Sequence, residues 1–352
     1  MTDTPVHKAS ADLAGEFEFN LPKGFDLIAE DPELGPKIVE SLAEIEQRLS
    51  RAVENTNHLA DVASRHLLDA GGKRVRPLLT LLAAAAGGEI NDKVLDAAVV
   101  VELTHLATLY HDDVMDDAPK RRGVDTAQTI WGNSVAILTG DLIFARASLI
   151  VSELGARALA IQARTFERLV LGQLFETTGP QNGDDLYNHY IKVIEGKTGS
   201  LISAAGEYGT VLAEAPESAV QMLVRYGELV GVAFQLADDV IDLTGGTAAG
   251  KTPGTDLREG VPTLPTILLA QEAEAGDEEA QRIQTMISGD LSSDAALADA
   301  VAALSAHPVT QKAWDIAYSW ADEAIATIEP LPDSTAKEAL KSFAHAVVKR
   351  DI

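Results

Sequence analysis

A chain of 352 residues with no cysteine can form neither a disulfide framework nor a thiolate metal site, and it suits a reducing cytoplasm. Its formal net charge of −26 sets it against nucleic acid and against anionic lipid surfaces, both of which reward basic protein. At 46% hydrophobic it has ample material for one large core, although length alone would also allow two domains.

The first 20 residues are polar and mixed, with no basic segment leading into an apolar run, so they read as a flexible tail and not a signal peptide. Residues 21–352 are then expected to form one domain. From Gly35 onward apolar residues recur at helical spacing. Ile38, Leu42, Ile45 and Leu49 are separated by steps of four and three, which places them on one helix stripe. The same rhythm returns in Val94–Leu109, Val135–Leu154, Ala158–Leu174, Leu186–Ile194, Ser218–Val240 and Lys312–Ile328. Few segments alternate with period two, and the fold class is all-α. The longest apolar run, around Leu78–Ala86, is about half the ~18 residues a membrane span needs, so no transmembrane segment is expected. Breaks fall at Gly71-Gly72, Gly87-Gly88, Pro119–Gly123, Gly179–Asp185 and Gly245–Pro265. The last is long for a loop inside a helical domain, and loops of that length are more often functional than decorative.

Two acidic motifs stand out. In His111–Asp117 (H-D-D-V-M-D-D), Asp112 and Asp116 lie one helical turn apart on the same face, with Asp113 rotated from Asp112 by about 100°. Carboxylates packed this closely repel one another unless cations neutralise them. An all-oxygen ligand set suits Mg²⁺, which takes one or two carboxylates and completes its shell with water and phosphate oxygens. Alone, such a motif is no more telling than a solvated acidic turn. The spacing repeats, however, at Asp238, Asp239 and Asp242, after an almost wholly apolar stretch from Val232 to Ala237 in which acids are costly unless paired or metal-bound. Gln235 lies one turn before Asp238, where its amide could hold a ligand or a carboxylate.

Basic residues cluster in four places: Gly72–Pro77 (G-K-R-V-R-P), Lys120–Gly123 (K-R-R-G), Gly196–Gly199 (G-K-T-G) and Gly250–Pro253 (G-K-T-P). Glycine before the cation lets bare backbone approach a phosphate; Arg offers paired donors and Lys a mobile charge. Each cluster alone is more often a solvated loop. Beside two carboxylate clusters, they complete a kit for diphosphate–metal chemistry.

The set G-G-K-R-V-R-P, H-L-A-T-L-Y-H-D-D-V-M-D, R-R-G, G-K-T-G-S-L, F-Q-L-A-D-D-V-I-D and G-K-T-P-G-T-D-L-R-E-G, in this order from about Gly71 to Leu264, resembles the trans-isoprenyl diphosphate synthases. The resemblance implies a helical bundle around a central cavity and a prenyltransferase that joins isopentenyl diphosphate to an allylic diphosphate primer. It implies that Asp112, Asp113, Asp116, Asp238, Asp239 and Asp242 hold Mg²⁺, three ions with bound diphosphate, and that Lys197 belongs with the catalytic groups. Arg121, Lys197, Thr198, Gln235 and Lys251 correspond to the allylic site, and Lys73, Arg76, His105 and Arg122 to the isopentenyl diphosphate pocket. Val261 departs from the pattern, since many members carry a basic residue after D-L-R-E-G. The family reaction runs through an allylic cation without a side-chain nucleophile. It must exclude water, and the Gly245–Pro265 loop is a natural lid. Members are usually homodimers, cytoplasmic, and deliver long products to membranes.

Three other readings compete. A terpene cyclase would replace the second D-D-x-x-D with an Asn/Ser/Glu pattern, a non-catalytic subunit would lack intact acidic motifs, and a structural helical protein would not pair these acids with Gly–Lys turns. Product length is read from Ala107 and Thr108, the fifth and fourth positions before the first motif, which in the family help set the tunnel floor. Both are small, and Tyr110 points about 160° away from Asp112. An open tunnel along a ~25-residue helix runs ~37 Å, room for roughly eight extended units, so a product of roughly seven to ten units (C35–C50) is expected.

Overall fold

The computed structural model describes residues 25–181, 183–244 and 253–349. The tail over residues 1–20, Lys251 and much of the proposed lid therefore lie outside the described residues.

The chain opens with α1 (Asp26–Glu30), α2 (Leu34–Val53) and α3 (His58–Asp69). The Ile38, Leu42, Ile45, Leu49 stripe is the buried face of α2. Asn57 begins α3 by accepting a hydrogen bond from the Ala60 N–H at 3.1 Å. After α4 (Val75–Gly87) comes α5 (Asp92–Met115), started by Asn91, whose side chain accepts from the backbone N–H groups of Lys93 and Val94. A helix apolar on every face belongs inside. Accordingly, α5 is buried from Val94 to Tyr110 on nearly all sides, against α2, α4, α7 and α10.

At its end the chain reverses through a hairpin of β1 (Lys120–Arg121) and β2 (Val124–Asp125), in which Arg121 pairs with Val124. The two turn residues, Arg122 and Gly123, both have positive φ, 53° and 81°, as the twist of a two-residue hairpin requires. This hairpin is a small departure from an otherwise all-α fold. It carries the R-R-G motif back against α3 and α5.

Next come α6 (Ala127–Trp131), α7 (Asn133–Glu153), α8 (Ala156–Thr178) and α9 (Leu186–Ile194), then a π-helical turn (Glu195–Gly199) leading into α10 (Ser200–Leu212) and α11 (Glu217–Thr244). The remaining helices are α12 (Thr255–Glu259), α13 (Leu264–Glu274), α14 (Glu278–Ile287), α15 (Asp294–Ala306), α16 (Pro308–Ile328) and α17 (Thr335–Val348). One contiguous apolar core runs from Phe25 to Val348, with α11 packed between α10 and α16.

The apolar run Leu78–Ala86 is buried inside α4. Among the described residues the helix long and apolar enough to cross a membrane is instead α7, with mean hydropathy 1.7 and 33% of its apolar window buried. Its exposed Ile137, Leu138 and Leu149 adjoin exposed Leu159, Val170, Leu171 and Leu174 of α8, so these two helices present an apolar face to the outside.

Candidate functional site

Both acidic motifs end a helix. Asp112 and Asp113 fall in the last turn of α5 with Asp116 at its C-cap, and Asp238, Asp239 and Asp242 fall in the last two turns of α11, neither last turn containing a basic residue. A helix C-terminus carries partial negative charge from its aligned peptides, so carboxylates there are destabilising. Six acids gathered at two such ends are tolerable if cations meet them.

Asp113 is 1% exposed. One carboxylate oxygen accepts from Arg121 Nε at 2.7 Å; the other, Oδ2, is buried with no hydrogen-bond partner. Burial raises its pKa, with Arg121 opposing. Asp112 is half-buried; burial pushes it up to about 6, with Lys197 pulling down and Asp116 pushing up. Asp116 is exposed.

In the second cluster Asp239 is 5% exposed and fully engaged. Its Oδ2 accepts from the Tyr190 hydroxyl and from Leu264 N–H at 3.1 Å, and its Oδ1 from Gln235 Nε2 at 3.3 Å. Burial still pushes it up to about 7, against those three hydrogen bonds. Thr198 Oγ1 donates to Gln235 Oε1 at 3.3 Å. Gln235 thus holds Asp239, one turn on, and ties it to the G-K-T-G motif. Asp238 is half-buried beside it. Asp242 accepts from Gly254 N–H through its carbonyl at 2.9 Å and from Asp256 N–H through Oδ2 at 3.2 Å, which anchors the far end of the long loop on α11.

Lys197 and Thr198 lie on the π-helical turn, wedged between α8 and α11 by glycines. A β-carbon on Gly196 would stand 2.8 Å from the Gly172 Cα, and one on Gly231 would stand 2.6 Å from the Gly199 Cα. Only bare backbones permit that approach. Lys197 forms an ion pair with Glu176 of α8. Below lies a cavity of about 490 Å³, lined by Thr108, Asp112, Ile137, Phe166, Leu174 and Lys197 among others. It is largely apolar, with charge at its mouth. Asp112 and Lys197 both line this cavity, and Thr198, next to Lys197, is linked through Gln235 to Asp239 of the second motif.

Of the two residues expected to set the depth, Thr108 lines the cavity, whereas Ala107 is buried against α7, its carbonyl 3.1 Å from where a Gly140 β-carbon would stand. Tyr110 is turned away: its hydroxyl donates to Ala63 O and accepts from Leu67 N–H. Phe166, stacked on Phe144 with ring centroids 4.0 Å apart, is a further part of the cavity wall and belongs to no motif.

Arg76, His105 and Arg122 converge beyond Asp113, and the charges of Arg76 and Arg122 bear on His105. Burial first, and then the charges of Arg76 and Arg122, hold His105 well below its ordinary value, so it is neutral at pH 7. Arg76 Nε is buried without a partner, and Arg122 donates from Nη1 to Leu67 O at 2.7 Å. Arg121 adjoins this group while bonding Asp113. Lys73 is exposed, Val261 is 40% exposed, and Lys251 lies outside the described residues. Glu102, Tyr190 and Glu176, which belong to none of the sequence motifs, also take part in these contacts.

Among the described residues no three acidic or imidazole side chains converge on one point as a ready metal cage. The donor set nonetheless fits Mg²⁺. It is wholly carboxylate, it includes the unpaired buried Oδ2 of Asp113, and it sits at two negative helix ends. Mg²⁺ needs only one or two of these oxygens beside phosphate and water.

A family model for polyprenyl synthetases matches residues 57–304. The nonaprenyl diphosphate synthase of Mycobacterium tuberculosis is 40% identical over 311 residues, covering 88% of this chain and 92% of that protein. Geranylgeranyl pyrophosphate synthase from Corynebacterium glutamicum, solved with calcium and isoprenyl diphosphate, superposes with a TM-score of 0.81 at 42% identity, covering 91% of this chain and 98% of that one. A decaprenyl diphosphate synthase from Rhodobacter capsulatus gives 0.81 at 33% identity over 93% of this chain and 99% of that one.

Proposed function

Because the chain belongs to the polyprenyl synthetase family, we propose that it is a Mg²⁺-dependent prenyltransferase that adds isopentenyl diphosphate repeatedly to an allylic diphosphate, giving a long all-trans product. The observation that carries this is an apolar cavity lined by Asp112 and Lys197, with Thr198 beside Lys197 linked through Gln235 to Asp239 of the second cluster.

Asp112, Asp113, Asp116, Asp238, Asp239 and Asp242 would hold the Mg²⁺, which when bound neutralises the primer diphosphate and eases its departure. Lys197, freed from Glu176, Thr198, Arg121 and Lys251 would hold the same diphosphate. Arg76 and Arg122 would grip isopentenyl diphosphate with Lys73, while neutral His105 offers one donor without adding to the local positive charge. The apolar wall then receives the chain and keeps water from the allylic cation. Radiolabelled isopentenyl diphosphate incubated with primer and Mg²⁺ tests the reading; no acid-labile chain longer than the primer would overturn it.

Mg²⁺ is expected to raise the melting temperature more at pH 8 than at pH 6. Burial pushes Asp112 up to about 6 and Asp239 up to about 7, above the ordinary 3.8 of an unfolded chain. Groups raised in the folded state stabilise it below the unfolded value and lose that contribution as pH passes through 6 to 7. Mg²⁺ binds the carboxylate forms, so its stabilisation grows over the same window. A gain that is equal or smaller at pH 8 in thermal-shift measurements counts against these ligands.

The exposed apolar face of α7 and α8 is continuous with the cavity wall through Ile137, Val170 and Leu174, and such faces mark interaction sites. A second copy covering it would make a homodimer and seal the cavity. Light scattering should give twice the 37.3 kDa chain mass; a monomer at micromolar concentration refutes the dimer.

A further inference from the structure

Two neighbouring arginines in the G-G-K-R-V-R-P motif have opposite fates. Arg76 keeps its Nε buried without a hydrogen-bond partner. Arg74, two residues earlier and 6% exposed, is turned inward and spent on protein: Nε donates to Glu46 Oε1, Nη2 to Glu46 Oε2 at 3.2 Å and to Leu68 O at 3.3 Å, and Nη1 to Glu102 Oε1 at 3.2 Å. So engaged, Arg74 has little left to offer a diphosphate.

The backbone pays attention to this clamp. Arg74 caps α4 with φ of 48° and ψ of 35°, a left-handed conformation that a long side chain rarely adopts. Gly72 lies directly against the result, for a β-carbon there would come within 2.8 Å of Arg74 Nη1 and 3.1 Å of Arg122 Nη2. Glu46 comes from α2 and Glu102 from α5, so one guanidinium fastens three helices around the turn carrying Lys73 and Arg76. Glu102 is 3% exposed, and its charge also acts on Arg76 and Arg122. Three guanidiniums held this close, with nothing negative among them, would repel one another apart.

We propose that Glu102, acting with Glu46 through Arg74, is a positioning residue for isopentenyl diphosphate: it sets the left-handed turn that aims Lys73 and Arg76 at the diphosphate and holds Arg76 and Arg122 together before substrate arrives. The proposal rests on the reading of Lys73, Arg76 and Arg122 as the isopentenyl diphosphate site. It assigns Arg74 to the frame of that site and not to its contacts.

The test is steady-state kinetics of the full chain with Mg²⁺, varying each substrate in turn. Glu102→Gln keeps shape and one acceptor but removes the charge. It is expected to raise the KM for isopentenyl diphosphate about 10- to 100-fold, the effect of losing a charge-assisted hydrogen bond. The primer KM and the kcat at saturating isopentenyl diphosphate should change by less than about 3-fold. Glu46→Gln, nearer the surface, should shift the same KM less and serves if the first variant folds poorly. Arg74→Lys should shift the same KM in the same direction by no more than Glu102→Gln, and the double variant should be no worse than Glu102→Gln alone, because Arg74 acts only through the clamp whereas Glu102 also bears directly on Arg76 and Arg122. Equal rises in both KM values, a fall in melting temperature with both unchanged, or additive losses would each overturn the proposal. Wild-type protein that fails to incorporate isopentenyl diphosphate overturns the assignment of the site as well, whereas normal incorporation with an unchanged KM in Glu102→Gln sinks the clamp alone.

Discussion

Asp112→Ala and Asp238→Ala are each expected to lose about 10²- to 10⁴-fold in turnover while the protein stays folded. The loss is that of removing one preorganised charge from a site where leaving-group charge develops. The survival of the fold follows from position. Each carboxylate stands at a negative helix end, where its removal relieves repulsion. Asp239 would be a poorer choice, because Tyr190, Gln235 and Leu264 N–H all donate to it and would be left without their acceptor. Turnover at saturating Mg²⁺ and both substrates, beside a melting curve, gives the answer. Near-normal turnover in either variant would remove that cluster from the reaction.

Thr108→Phe should convert a long-chain enzyme into one that stops after roughly two or three units. Thr108 lines the cavity one turn, about 6 Å, from Asp112, and its hydroxyl donates to His105 O at 2.8 Å, so the small side chain lies along the helix and leaves the space open. A ring there would meet the growing chain almost at once. Ala107→Tyr, at the other position expected to set the depth, would be misleading: at 2% exposure beside Gly140, added bulk overpacks the α5–α7 contact and reports on folding. Phe166→Ala should act oppositely, lengthening the product by opening the wall stacked on Phe144. Reversed-phase separation of products by chain length decides it. A wild type that stops at about four units, or a Thr108→Phe variant that still makes long chains, would show that depth is set elsewhere.

The helices were legible because burial and periodicity are local: the Ile38 stripe and Leu186–Ile194 needed only their own spacing. The acidic motifs were legible for a similar reason, since residues one turn apart must share a face. What stayed hidden depends on which helix comes alongside. Tyr190 reaches Asp239 across 49 positions, and Arg74 reaches Glu102 across 28. No spacing rule links such pairs. The family resemblance places Ala107 at the tunnel floor by counting back from the motif, and counting carries no sign that α7 occupies that side. The apolar length of α7 does not show as a continuous run in the sequence, because Asp141 and Arg146 interrupt it.

The contacts of Gly172 with Gly196 and of Gly199 with Gly231 fix the spacing between the two walls of the site in main chain alone. Side chains can be exchanged, rotated or shortened, but touching backbones have no smaller size to retreat to. The gap across which Lys197 and Thr198 face the acids is therefore a gauge that substitution can only widen. Change in this protein is then expected to be steered elsewhere, to the lining of the cavity, where a single added ring should alter how far a chain extends without touching these backbones.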